Sequence, residues 1–276
     1  MAGGSEPGGV RVQHVRIGRI LGWANFALVL AGSAQAEATC FVAPECRAGS
    51  TRQDALTGVG ERGELILASG SRAILGGIRW PVEDDGAARA WLLRQRDRPL
   101  ELVPRGEADR WGRTQVDAAV LDEAVDLAGG LIAEGLAYVD AGERDTLCRP
   151  ALLSLETEAR GAARGLWRTG VREGREGGAL REATGRFIVA QGRVVNVGER
   201  SARTYVDFAR RGEDGLTVTV SKRTWRQLRE RGLSAATLRG RLVRVRGVVE
   251  SWRGPTLDIA SADMIEVLDE ERALRR

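Results

Sequence analysis

The sequence predicts a mixed α+β chain, mainly β, built as two small barrels in tandem. Three observations predict it. The order of three strands, a helix and two strands occurs twice, and that is the order of an OB-type barrel. A Gly-rich stretch, 169–184, separates the two copies. The apolar runs at 65–68 and 73–78 flank a Ser-Gly turn, which is a hairpin signal, and Pro81 closes the second run because proline cannot donate to a ladder.

Residues 1–36 read as an export leader. Arg11, Arg16 and Arg19 precede an apolar stretch from Ile20 to Gly32, and Ala34-Gln35-Ala36 is a small-x-small cleavage site. The stretch is short for a membrane span and Asn25 interrupts it. No later stretch reads as a span, so the mature chain is expected to lack one and to be exported, either periplasmic or secreted. Residues 37–62 read as an N-terminal extension carrying Cys40 and Cys46, whose pairing forms the simplest disulfide loop. Cys148 can also pair with either, and an odd count leaves one thiol over.

In the first barrel, 63–168, Leu65, Leu67, Ile74, Gly76 and Ile78 are the expected strand positions. Asp84 and Asp85 precede a helical run, Ala87 to Leu93, where negative charge suits a helix N-terminus. Short strands follow at 100–103 and 114–121, the second with Val116, Ala118 and Val120 on one face. Helices are expected at 127–136 and about 147–166, with a short strand at 137–139 between them and Trp167 plugging the core after them. Glycines with interspersed charges make 169–184 a linker. The second barrel, 185–265, takes strands at 187–197, 204–208 and 216–220, a helix at 224–231, and strands at 242–249 and 256–259. It is expected to fold alone. A charged tail, 266–276, ends the chain.

The formal net charge is +4, which permits contact with nucleic acid without demanding it. Lys222 is the only lysine and His14 the only histidine. Once the leader is removed no imidazole remains, which excludes Ser-His and Cys-His pairs and histidine-ligated zinc.

The segment Ile74-Leu75-Gly76-Gly77-Ile78-Arg79-Trp80-Pro81, the run Asp109-Arg110-Trp111-Gly112-Arg113 and the late helix ending Glu158-Ala159-Arg160…Gly165-Leu166-Trp167 together resemble the staphylococcal nuclease (thermonuclease) family over roughly residues 55–170. The resemblance implies an OB barrel with extra helices and a calcium-dependent phosphodiesterase site. It places carboxylates for the cation, a glutamate base and two phosphate-clamping arginines. Aligning Pro81 with the family's loop proline puts the strand arginine on Ile74, the loop metal aspartate on Arg79, its neighbour on Trp80, the base on Val82 and the first-strand aspartate near Gly63. Arg113 alone keeps its role. Arg72, two residues before Ile74, and Glu83, one beyond Val82, are the residues that could take over lost roles.

The expected molecule is therefore an exported member with a degenerate catalytic set. Arg113 and Glu83 are its candidate catalytic residues, and Arg72, Arg79 and Arg113 could bind phosphate. Trp80, Trp111 and Trp252 could stack on bases. Arg241, Arg244 and Arg246 with Trp252 form a basic-aromatic set on the second barrel, Arg244 and Arg246 sharing a strand face. No cofactor is expected, and calcium would need a rearranged site. The expected role is binding or scaffolding, with single-stranded nucleic acid or an envelope protein as partner. The rivals are an active phosphodiesterase with a shifted site and an envelope interaction module.

Overall fold

The computed structural model describes residues 46–81, 85–121, 123, 126–144 and 146–269. The expected leader, Cys40, Glu83 and the last residues of the charged tail lie outside them. Among the described residues no helix is long and apolar enough to cross a membrane.

The first half contains β1 (Arg52–Val59), β2 (Leu65–Leu67), β3 (Arg72–Leu75), β4 (Ile78–Arg79), α1 (Gly86–Leu93), β5 (Pro99–Pro104) and β6 (Arg113–Val120). Five of these strands close a barrel in the order β1-β2-β3-β6-β5, with β3 and β6 parallel and the other neighbours antiparallel. The core follows the period of two: Leu65 and Leu67, Ala73 and Leu75, Val116 and Ala118 are all buried.

Two expectations need correction here. The barrel begins at Arg52, inside the stretch read as an extension, because Arg-Gln-Asp-Ala-Leu-Thr-Gly-Val carries only one fully buried apolar residue, Leu56, and so hides its strand signal. The inward residues of β3 are Ala73 and Leu75, one step out of phase with the expected Ile74 and Gly76; β3 ends at Leu75, and Ile78 belongs to β4. Arg72 and Ile74 consequently share the outer face.

After the barrel come α2 (Leu127–Ala133), β7 (Tyr138–Val139), α3 (Ala151–Gly161) and a 3₁₀ turn over Gly165–Thr169. The Asp126 side chain caps α2 by accepting from the Gly129 amide. β7 pairs with β4, forming a two-stranded flap beside the barrel. Gly135 and Gly165 let two backbones cross at close range, with Leu166 N–H donating to the Gly135 carbonyl at 2.8 Å. A Cβ on Gly135 would sit 2.3 Å from the Arg164 carbonyl oxygen. That crossing seats Trp167 in the interior, 3% exposed.

The stretch read as a linker is structured. β8 (Arg172–Glu173) pairs parallel with β9 (Phe187–Arg193), and α4 (Gly177–Glu182) buries Leu180 completely. Two of its glycines admit close packing: a Cβ on Gly174 would lie 2.8 Å from the Phe208 ring and one on Gly177 would lie 2.1 Å from the Asp214 carboxyl.

The second half continues with β10 (Asn196–Glu199), β11 (Arg203–Asp207), β12 (Thr217–Ser221), α5 (Lys222–Glu230), α6 (Ala235–Leu238), β13 (Leu242–Ser251), β14 (Pro255–Ile259) and β15 (Ile265–Val267). Its order, β10-β11-β12-β14-β13-β9-β8, repeats the first barrel's logic, with β12 and β14 parallel. β9 runs on into β10 at the other end of this order. Val194 N–H donates to Arg241 and Val195 N–H to Asp207, one on each side. An OB-like path thus occurs in both halves.

Arg244 and Arg246 overturn the reading of a basic outer strand face. Both are buried, at 9% and 1% exposure. Arg246 donates to Glu156 of α3 through Nη1 and to Glu266 of β15 through Nη2. Arg244 reaches Glu266 at 3.3 Å, and Arg160 reaches Glu156 at 3.5 Å. Burial, with the like charge of Arg244 adding to it, lowers the Arg160 pKa from its ordinary value, while Glu266 and Glu156 oppose the shift. Glu156 also accepts the Val139 amide at 2.8 Å. Leu147 N–H donates to Asp263 at 2.7 Å nearby, and residues Phe41–Arg276 cluster as one compact unit. The second barrel is joined to the first by buried charge.

The expected Cys40–Cys46 pairing is also corrected. Cys46 is bonded to Cys148, 102 residues away. Cys46 is held against the barrel by Arg105, which donates to its carbonyl at 2.6 Å and pairs with Asp117.

Candidate functional site

The parallel pairing of β3 with β6 sets Arg72 and Arg113 side by side in register. Each is positioned by an acid of its own. Glu64, buried at the start of β2, accepts the Arg62 amide at 3.0 Å and faces Arg72 at 3.5 Å. The Arg72 side chain stays 58% exposed. Asp109 builds the turn that carries Arg113: it accepts the amides of Trp111 and Arg113 at 2.9 and 3.0 Å, and the Arg113 Nε at 2.9 Å. Desolvation works to raise the Asp109 carboxyl, but the side-chain and main-chain hydrogen bonds from Arg113, the Trp111 amide and the Arg113 charge together hold it below its usual value. The ion pair therefore persists through neutral pH.

Trp111 projects from this turn, 56% exposed. The Arg110 and Arg113 guanidinium carbons lie 4.7 and 4.8 Å from its ring centroid. Beside it, a cleft of about 380 Å³ is lined by Arg62, Glu64, Arg72, Trp111 and Arg113 among others.

A second cleft, of about 910 Å³, opens between the halves. Arg113 and Arg62 line it too, so they border both clefts. Arg79 and Trp80 lie in its wall. Arg79 donates through Nε to Asp140 at 2.7 Å and rests over the Phe187 ring at 5.5 Å.

The expected arginines are thus distributed along one path rather than gathered around one point. Arg72 borders the smaller cleft, Arg79 the larger and Arg113 both. Glu83 lies outside the described residues. Trp80 is not a free stacking surface: its indole lies on Gly63, where a Cβ would be 2.2 Å from Cζ2. Gly63 also has φ +78°, a conformation that suits glycine. Trp252 is 55% exposed on the β13–β14 turn under Arg253, and it lines neither cleft.

Sequence reasoning missed Tyr138, Phe187 and Arg172, which line the larger cleft. Tyr138 and Phe187 stack at 5.5 Å across the two halves, a meeting that no local pattern announces. Burial raises the Tyr138 pKa against the opposing charge of Arg172, with Glu156 adding to the rise, so the phenol stays protonated at neutral pH.

The two positions where the resemblance expects aspartates are the ones filled by the Trp80–Gly63 contact and by Arg79. A hard dication needs six to eight oxygen ligands, and these residues do not fit one. Among the described residues, no group of three or more His, Cys, Asp or Glu side chains could hold a metal ion. Gly63→Asp is expected to create no calcium site. It should destabilise the fold by about 1–3 kcal/mol through overpacking against Trp80. Calorimetry with calcium and a denaturant titration check both statements; micromolar calcium binding by the variant would show that the indole yields to the ion.

No family model matches this chain, and no curated protein matches it either.

Proposed function

We propose that this chain is an exported, nuclease-like binding protein that holds the phosphodiester backbone of single-stranded nucleic acid without cleaving it. One observation carries the proposal. Arg72 and Arg113 stand in register on adjacent strands beside an exposed tryptophan, on a surface bordered by two clefts. A guanidinium fork suits phosphate oxygens, and an exposed indole offers a sequence-tolerant surface for a base. What opposes cleavage is chemical: Trp80 covers Gly63, and Arg79 stands where a cation would need a carboxylate. The Cys46–Cys148 bond supports export, because such crosslinks persist in oxidising compartments.

The test is fluorescence anisotropy with an oligothymidylate, across a salt series and with calcium added. Arg72→Ala is expected to weaken binding about ten- to a hundredfold, since a hydrogen bond to a charged group contributes about 1.5–3 kcal/mol. Trp111→Ala should cost about 1–3 kcal/mol for one stacked base. The slope of log K against log salt should fall by about 0.7 for each phosphate contact removed. Intact wild-type protein that binds no oligonucleotide at low salt would refute the binding role. Calcium-dependent cleavage lost in Arg113→Ala would put the shifted-site phosphodiesterase in its place.

A further inference from the structure

We infer that the cleft between the barrels continues the same binding surface and seats a base of the bound strand, so that the ligand spans both halves of the protein. This rests on the nucleic-acid reading above and adds the length and path of the ligand.

The continuity lies in the arginines. Arg62 and Arg113 border both clefts, so a backbone held at Arg72 and Arg113 leads directly into the larger one. The two volumes, about 380 and 910 Å³, lie near the lower and upper ends of the range for organic ligands, roughly 300–1,000 Å³.

The larger cleft has the composition a stacked base requires. Tyr138 and Phe187 lie with centroids 5.5 Å apart at 35°, and Tyr138 meets Trp167 edge-on at 5.3 Å. These rings come from β7, β9 and the 3₁₀ turn, so the aromatic surface exists only where the halves meet. The Trp167 indole is 3% exposed, and its Nε1–H has no hydrogen-bond partner among the described residues. That nitrogen is itself buried, so Trp167 contributes to the wall of the cleft rather than a hydrogen bond to the base. Arg172 is exposed at the cleft and close enough to Tyr138 to oppose its pKa rise, which puts a cation where the next phosphate would pass.

An acidic peptide could satisfy the arginines but would leave the rings without a flat partner. A strand satisfies both, because each nucleotide brings one charge and one π-face.

Affinities of the full-length oxidised chain for oligothymidylates of about four and about twelve nucleotides, lengths within the range one OB barrel covers, test this. The longer probe is expected to bind at least tenfold tighter, with a salt slope steeper by about 1.4 for two added phosphate contacts. Arg172→Glu should remove most of that length advantage and at least 0.7 of the slope while leaving the shorter probe unchanged. Arg79→Gln should act in the same direction, and it serves if Arg172→Glu does not fold. Arg72→Ala should weaken both probes. If both lengths bind equally and Arg172→Glu changes neither, the cleft plays no part although the surface at Arg72 and Arg113 still binds. If the wild type binds neither probe, both readings fail together. Equal competition by a polyglutamate peptide of matched charge would also overturn the base-seating inference.

Discussion

Arg246→Met is expected to cost about 3–5 kcal/mol of stability. The Arg246 and Glu156 side chains are both 0% exposed. Removing the cation leaves Glu156 with Arg160 at 3.5 Å and the Val139 amide as its remaining partners, too little to hold a carboxylate in the interior. Glu266 keeps Arg244 and is partly solvated, so the loss concentrates at Glu156. A double substitution, Arg246→Met with Glu156→Leu, removes both buried charges and should recover much of the loss, because replacing a whole buried pair by apolar residues is often close to neutral. A double-mutant cycle by urea denaturation measures the coupling. Simple additivity of the two single losses would show that the pair does not act as a unit. Since Glu156 lies on α3 of the first half and Arg246 on β13 of the second, the wild type should unfold in one transition. Two resolved transitions, one of them unaffected by Arg246→Met, would restore the independent second barrel.

This pair also shows what the sequence could convey. Alternation along 242–249 correctly placed Arg244 and Arg246 on one face. It carried no information about what covers that face, because the covering acid lies 90 residues earlier on a helix. The same alternation read β6 correctly, since Val116, Ala118 and Val120 are apolar and their burial follows from their chemistry. It missed β1, where Leu56 is the one fully buried side chain. The glycines at 174 and 177 look like flexible punctuation but sit against Phe208 and Asp214. At the candidate site, Arg72 and Arg113 were legible as residues, whereas their register depends on a parallel pairing across a crossover. Gly63 and Trp80 were visible only as two separate departures from a resemblance. Their complementarity, a missing Cβ under an indole, needs three dimensions. The stacked Tyr138 and Phe187 are further still from any local signal.

Loss of the Cys46–Cys148 bond should cost a comparable amount, about 2–5 kcal/mol, and for a different reason. A crosslink acts largely on the unfolded chain, and the effect grows with the loop it closes. For the separation of 102 residues the chain-entropy estimate is about 4.7 kcal/mol, whereas a Cys40–Cys46 loop would be worth roughly 2 kcal/mol. A loss well above about 2 kcal/mol therefore points to the long loop, and peptide mapping identifies the pairing directly. Cys148→Ser and reduced wild type should show the same lowered urea midpoint. Both should also show a larger m value, because an unfolded chain without the crosslink exposes more surface. In the full-length oxidised chain, thiol titration under denaturing conditions should find one free thiol per molecule, Cys40, out of three cysteines. The native bond ties the segment before β1 to the segment before α3, so its loss should loosen the turn that positions Arg105 and Arg149 near Asp117. The surface at Arg72 and Arg113 lies on other strands, and oligonucleotide affinity of the still-folded fraction should stay within about twofold, the range of a change smaller than 0.5 kcal/mol. A midpoint unmoved by reductant, or a peptide map joining Cys40 to Cys46, would refute the long-range crosslink.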